Sequence, residues 1–126
     1  MTPALEEAHR LQRLALRDRG TFDLLLPLPQ ATLAAIGFHA QQAVEKSLKA
    51  VCTLRSIEVR RTHDLAALAQ ALIDDGVALP LSPDEFRTLN PFAVEYRYDD
   101  EITSTLTRED LNSLVTKVLN WSELQF

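Results

Sequence analysis

The sequence predicts an all-α protein, an up-and-down bundle of four to five helices. Three observations carry that expectation. Apolar residues recur at steps of three and four in five segments, the spacing that lines one face of an α-helix. Leucine and alanine, both good helix formers, are abundant, and the 126 residues include only three glycines. Capping residues with proline or acids behind them stand ahead of several of those segments.

The first helix starts at Thr2, an N-cap residue, with Pro3 at the first helical position and Glu6 and Glu7 in the first turn. Leu5, Ala8, Leu11 and Ala15 keep helical spacing; Gly20 weakens the segment, and Pro27 and Pro29 end it after an extension through Phe22 to Leu26. The second helix is expected from Gln30 to Ser56. Leu33, Ile36, Ala40, Val44, Leu48 and Val51 form its apolar stripe, while His39, Gln42, Lys46 and Lys49 step along a different face with Glu45 beside them.

A basic loop, Glu58-Val59-Arg60-Arg61-Thr62, leads to a third helix from His63 to Asp75, with Thr62 as its cap and Gly76 as its stop. Leu65, Leu68 and Leu72 give its buried face. Ser82-Pro83-Asp84-Glu85 is a capping box with proline at the first helical position, and Leu81 and Phe86 sit where a hydrophobic staple forms. The fourth helix is expected to run to Tyr98 with a kink at Pro91, which removes one backbone hydrogen bond. Thr107 with Asp110, flanked by Leu106 and Leu111, opens the last helix, whose stripe runs through Leu114, Val115, Val118, Trp121 and Ser122. No repeat or linker divides the chain, so residues 1–126 are expected to form a single domain.

The formal charge of −5 argues against bulk electrostatic coating of nucleic acid, which needs a basic excess. Cys52 is the sole cysteine, so neither an intrachain disulfide nor a cysteine-based zinc site is available, and it reads as a packed core thiol. His9, His39 and His63 lack metal-ligand spacing, and neither a metal nor another cofactor is expected. The opening residues carry no signal-peptide pattern and the apolar runs are too short for a bilayer, so no membrane association and a cytoplasmic setting are expected.

Three places carry candidate chemistry. His39, Gln42, Lys46 and Lys49 line up donors and two positive charges, which suits phosphate; the competing reading is a solvated face with an i,i+4 Glu45–Lys49 pair. In Arg61-Thr62-His63-Asp64, basic residues precede a helix N-terminus that attracts anions, and His63 suits acid–base work near neutral pH; the competing reading makes His63 a cap that pairs locally. In Glu95-Tyr96-Arg97-Tyr98, an arginine between tyrosines suits a phosphate with a stacked base, unless the neighbouring acids neutralise it. Tyr96, on the stripe of Phe86, Leu89 and Ala93, is expected to be mostly buried.

The stretches Phe38 to Ala50, Arg61 to Leu65 and Ala93 to Tyr98, in that order, resemble the HEPN family (higher eukaryote and prokaryote nucleotide-binding domains), and the resemblance spans essentially the whole chain. It implies a helical bundle assembled as a homodimer, paired with a minimal nucleotidyltransferase encoded nearby, often as a toxin–antitoxin module in which the HEPN protein is the toxin. Catalytic members resemble metal-independent ribonucleases that carry an arginine, four to six intervening residues and a histidine. Here Arg61, Arg60 and Arg55 leave one, two and seven residues before His63, outside that spacing, and Arg97 and Arg108 have no histidine after them.

Three functional readings follow. The first is a non-catalytic component that binds a nucleotide or the nucleotidyltransferase, with His39, Gln42, Lys46, Lys49, Arg61 and Tyr98 as ligand-binding residues. The second is a divergent ribonuclease toxin with His63 as acid/base and Arg97 or Arg55 stabilising the phosphorane. The third is a structural scaffold. Apolar positions on more than one side of the second and last helices, with Phe38 and Cys52 flanking the polar stripe, add the expectation of a homodimer.

Overall fold

The computed structural model describes residues 2–59, 61–94 and 104–126. Among these it forms a helical bundle without strands: α1 (Pro3–Leu25), α2 (Leu33–Leu54), α3 (Leu65–Asp74), the short α4 (Pro83–Arg87), a 3₁₀ turn (Asn90–Ala93) and α5 (Arg108–Gln125). No helix among the described residues is long and apolar enough to cross a membrane.

α2 is the axis of the bundle and packs against α1, α3, the 3₁₀ turn and α5. Its expected stripe is the core: Ile36, Ala40, Val44, Leu48 and Val51 are fully buried, with Leu33 at the margin. Burying each large aliphatic side chain contributes about 1.5–3 kcal/mol. Around them lie Phe22 from α1, Leu65, Leu68 and Leu72 from α3, Phe86, Leu89 and Phe92, and Leu111, Leu114, Val115 and Val118 from α5. Cys52 belongs to this core at 1% exposure, so it does not flank a free surface as expected; Phe38 is half-buried, its ring edge-on to His39.

The caps are mostly where local chemistry put them. Thr2 accepts from the Leu5 amide, and the boxes Ser82/Glu85 and Thr107/Asp110 close reciprocally. Three expectations are corrected. α2 starts at Leu33 rather than Gln30, because the Thr32 hydroxyl accepts the Ala35 amide and makes Thr32 the N-cap. α3 starts at Leu65 rather than His63: Asp64 takes the Ala66 amide as cap, and Thr62 instead accepts the Asp64 amide. The fourth helix is broken rather than kinked. α4 stops at Arg87, the Thr88 hydroxyl donates to the Glu85 carbonyl, and Pro91 enters a separate 3₁₀ turn whose first positions need no amide donor.

That turn reaches α2 through a glycine. A Cβ on Gly37 would stand 2.1 Å from the Phe92 ring, so the absent side chain is the seat of this fully buried aromatic. At the other end, Arg108 in the first turn of α5 donates to the carbonyls of Leu26, Leu28 and Ala31 at 2.6–2.7 Å and of Pro29 at 3.5 Å. It thereby satisfies the turn between α1 and α2. Trp121 packs against the core and donates its Nε1–H to the Ala78 carbonyl, the packing role expected of it.

Candidate functional site

The polar stripe of α2 does not lie open to solvent; it is organised around two carboxylates. The first is Asp18 on α1, which is buried although charged. Lys46 donates to its Oδ2 at 2.5 Å, and His39 Nδ1 lies 3.4 Å from its Oδ1. Both partners are on α2, so the cluster is clamped between two packed helices. Its side chains are 11% exposed for Asp18 and 20% for each of the other two.

The second carboxylate is Glu45, one of the few buried charges of the core. Gln41 Nε2 donates to Oε1 at 3.0 Å, Lys49 Nζ donates to Oε2 at 3.1 Å, and His63 Nδ1 sits 2.8 Å from Oε1. Burial pushes the Glu45 carboxyl up, but the hydrogen bonds from Gln41, His63 and Lys49, with the Lys49 charge, outweigh it and hold the group below its ordinary value. The Gln41 amide also reaches the His63 carbonyl at 3.5 Å and accepts from Gln42 Nε2 at 2.7 Å. A continuous chain thus runs Gln42, Gln41, Glu45, His63, joining the stripe of α2 to the loop before α3. At its outer end the His63 side chain is 69% exposed.

The N-terminus of α3 beside His63 is already filled. Asn90 Oδ1 accepts the Leu65 amide, Asp64 Oδ1 accepts the Ala66 amide, and Asn90 Nδ2 donates back to Asp64. The Asn90 side chain, then the amides of Ala66 and Ala67, hold the Asp64 carboxyl below its usual range despite some desolvation. The expected attraction of anions to free amides there is therefore overturned: a carboxylate and an amide oxygen occupy the place.

The sequence-derived residues sort accordingly. His39 and Lys46 share Asp18; Gln42, Lys49 and His63 share the Glu45 network. The Glu45–Lys49 pair expected along one helix is present, but half-sunk rather than solvated. The His63 ring pairs with Glu45, 18 residues away, rather than locally as the competing reading had it. Arg61 is exposed two residues before His63. Arg55 is drawn away from His63: its guanidinium bonds the side chain and carbonyl of Asp75, past the far end of α3, roughly 15 Å of helix from His63. Arg97, Tyr98, Tyr96 and Arg60 lie outside the described residues. Asp18 and Gln41 were not read from the sequence; the only signal for them was a polar residue where helical spacing demands a buried one.

A cavity of about 400 Å³ opens between the end of α2 and α3, with Cys52, Ile57 and Leu68 among its walls. The Cys52 thiol is pushed up to about 11, by burial first and the Asp75 charge second, which makes it inert rather than nucleophilic. No group of histidine, cysteine and carboxylate side chains suited to a metal ion occurs among the described residues.

Comparison with protein families matches the HEPN domain over residues 10–125, nearly the whole chain. Neither the curated proteins nor the solved structures give a match. The helical bundle without strands agrees with that family, and the matched span includes α2, the loop carrying His63 and α5. The chain belongs to the HEPN domain family.

Proposed function

We propose that this chain is a single-domain, cytoplasmic HEPN component that binds a nucleotide, or the nucleotide-handling nucleotidyltransferase of a toxin–antitoxin-type pair, and works as a homodimer without cleaving RNA itself. The observation that carries the reading is the Glu45-held His63, fixed at the surface beside exposed Arg61. A histidine braced from a buried carboxylate presents one ring nitrogen outward in a set direction, and exposed Arg61, which has no ion-pair partner among the described residues, adds a charge suited to phosphate. The sequence also lacks the arginine-to-histidine spacing of the family's ribonucleases. Among the six ligand-binding residues expected from the sequence, Arg61 is the direct phosphate contact in this reading. Lys46 and Lys49, each held by a carboxylate, shape the site instead.

The test is calorimetric titration of the purified protein with nucleoside triphosphates, beside co-purification with a nucleotidyltransferase encoded next to its gene. Binding in either assay that falls in Arg61→Ala supports the reading; silence in both overturns it. One observation favours a second reading, a divergent ribonuclease: a carboxylate–histidine pair is also how a general base is oriented. Metal-free RNA cleavage that vanishes in His63→Ala would move the assignment to that reading, with Arg97 as the arginine to examine.

A further inference from the structure

The donors around Glu45 decide which nitrogen of His63 carries the hydrogen. An ionised carboxylate only accepts, and Lys49 only donates, so Glu45 is an acceptor on both oxygens. With Oε1 2.8 Å from His63 Nδ1, that nitrogen must bear the hydrogen. The same logic runs outward along α2. Gln41 turns its NH₂ to Glu45, which leaves its oxygen to accept from Gln42. Neutral His63 therefore offers a lone pair, not an N–H, from Nε2.

The surroundings reinforce this. Lys46 and Lys49 are neutralised by Asp18 and Glu45, the first amides of α3 are taken, and the Asp64 carboxylate follows His63 in the chain. A phosphate oxygen, itself an acceptor, meets an unwelcoming lone pair at Nε2 while finding a cation at Arg61. Among the described residues no group donates to Nε2, so a donor is what it can take up. His63 and Arg61 are two residues apart, at most about 7 Å along the chain, a span that one nucleotide bridges.

We propose that His63 Nε2 accepts a hydrogen bond from a ribose 2′-hydroxyl, so that the site selects ribonucleotides over deoxyribonucleotides, and that Glu45 is the positioning residue that fixes His63 in this form. The inference rests on the nucleotide-binding reading above and names the chemistry that reading leaves open. A hydroxyl is the group by which a protein tells ribose from deoxyribose.

Two measurements test it. Nitrogen-15 NMR of the His63 ring in the protein alone, above the pH at which the ring is charged, reads the tautomer without any ligand. Hydrogen on Nδ1, with that preference weakened in Glu45→Gln, is the expected result; hydrogen on Nε2 overturns the proposal. Calorimetry then compares the four common ribonucleoside triphosphates with their 2′-deoxy and 3′-deoxy counterparts. Loss of the 2′-hydroxyl is expected to weaken binding about fivefold to tenfold, the worth of one hydrogen bond at a partly exposed site, and the preference is expected to vanish in His63→Ala; a loss confined to the 3′-deoxy series overturns the proposal. Equal binding of ribo and deoxy forms, with the Nδ1–H tautomer present, overturns this inference and leaves nucleotide binding standing. No binding of any triphosphate overturns both.

Discussion

Asp18 and Glu45 each gather one lysine and one histidine, yet the two clusters end in opposite states. Around Asp18, lysine and histidine both come from α2 and the carboxylate from α1, so two packed helices close over the group and His39 is only 20% exposed. Around Glu45, carboxylate, lysine and glutamine come from one helix and the histidine from a loop, and His63 is 69% exposed. The chemistry is the same; the element that delivers the histidine decides whether it is locked or presented. A helix–helix contact consumes polar groups in holding the pair together, whereas a loop docked on a buried charge leaves one ring nitrogen for something else.

Substitutions at the two centres break this comparison in a predictable order. Glu45→Ala strands Lys49 and Gln41 in a nearly closed site and is expected to cost about 3–5 kcal/mol in urea denaturation. Asp18→Ala removes a carboxylate that is itself more exposed than Glu45, 11% against 5%, and that takes one lysine and one histidine without a glutamine, so a smaller loss of about 1–3 kcal/mol is expected. A larger loss at Asp18 than at Glu45 would mean that the helix pair, not the buried carboxylate, anchors the bundle.

Acid sharpens the contrast further. The folded Glu45 carboxyl lies below its ordinary value of 4.5, so the stability it contributes is present above that value and is lost as pH falls through the lowered folded one. The stability gap between wild type and Glu45→Gln is therefore expected to narrow as pH falls below 4.5, as followed by denaturation at each pH. A gap that widens below that value would contradict the assignment. The smallest effect is His63→Ala: an exposed ring that gives up one hydrogen bond to Glu45, which keeps Gln41 and Lys49, is expected to cost about 0.5–1.5 kcal/mol while altering ligand binding. A stability loss of several kcal/mol there would make His63 a structural strut like His39.

What was legible in the sequence divides along the same line. The capping boxes at Ser82 and Thr107 were readable because cap and partner lie three residues apart, and α2's stripe because its period is local. The choice between Thr62 and Asp64 was not, since both are capping residues and Asn90, 25 residues away from Leu65, tips the balance. The break after Arg87 escaped because a proline inside an apolar run reads equally as a kink or a stop. At the site, the Glu45–Lys49 pair was visible as i,i+4 spacing, whereas Asp18 facing Lys46 across 28 residues leaves no periodic trace. Gly37 is the sharpest instance: one glycine within a helix carries no hint of the Phe92 ring that requires it.

The Arg108 guanidinium has a consequence for how the molecule opens. It holds four carbonyls of the connection between the first two helices from a position 80 residues further on than Leu28. The amides of Leu28, bonded to the Leu25 carbonyl at the end of α1, and of Ala31, bonded to Leu28, would ordinarily exchange their hydrogens at the pace of a surface turn. Pinned by α5, they are shielded until the last helix lets go, so in native-state hydrogen exchange they should share its protection and join the beginning and end of the chain in one cooperative unit.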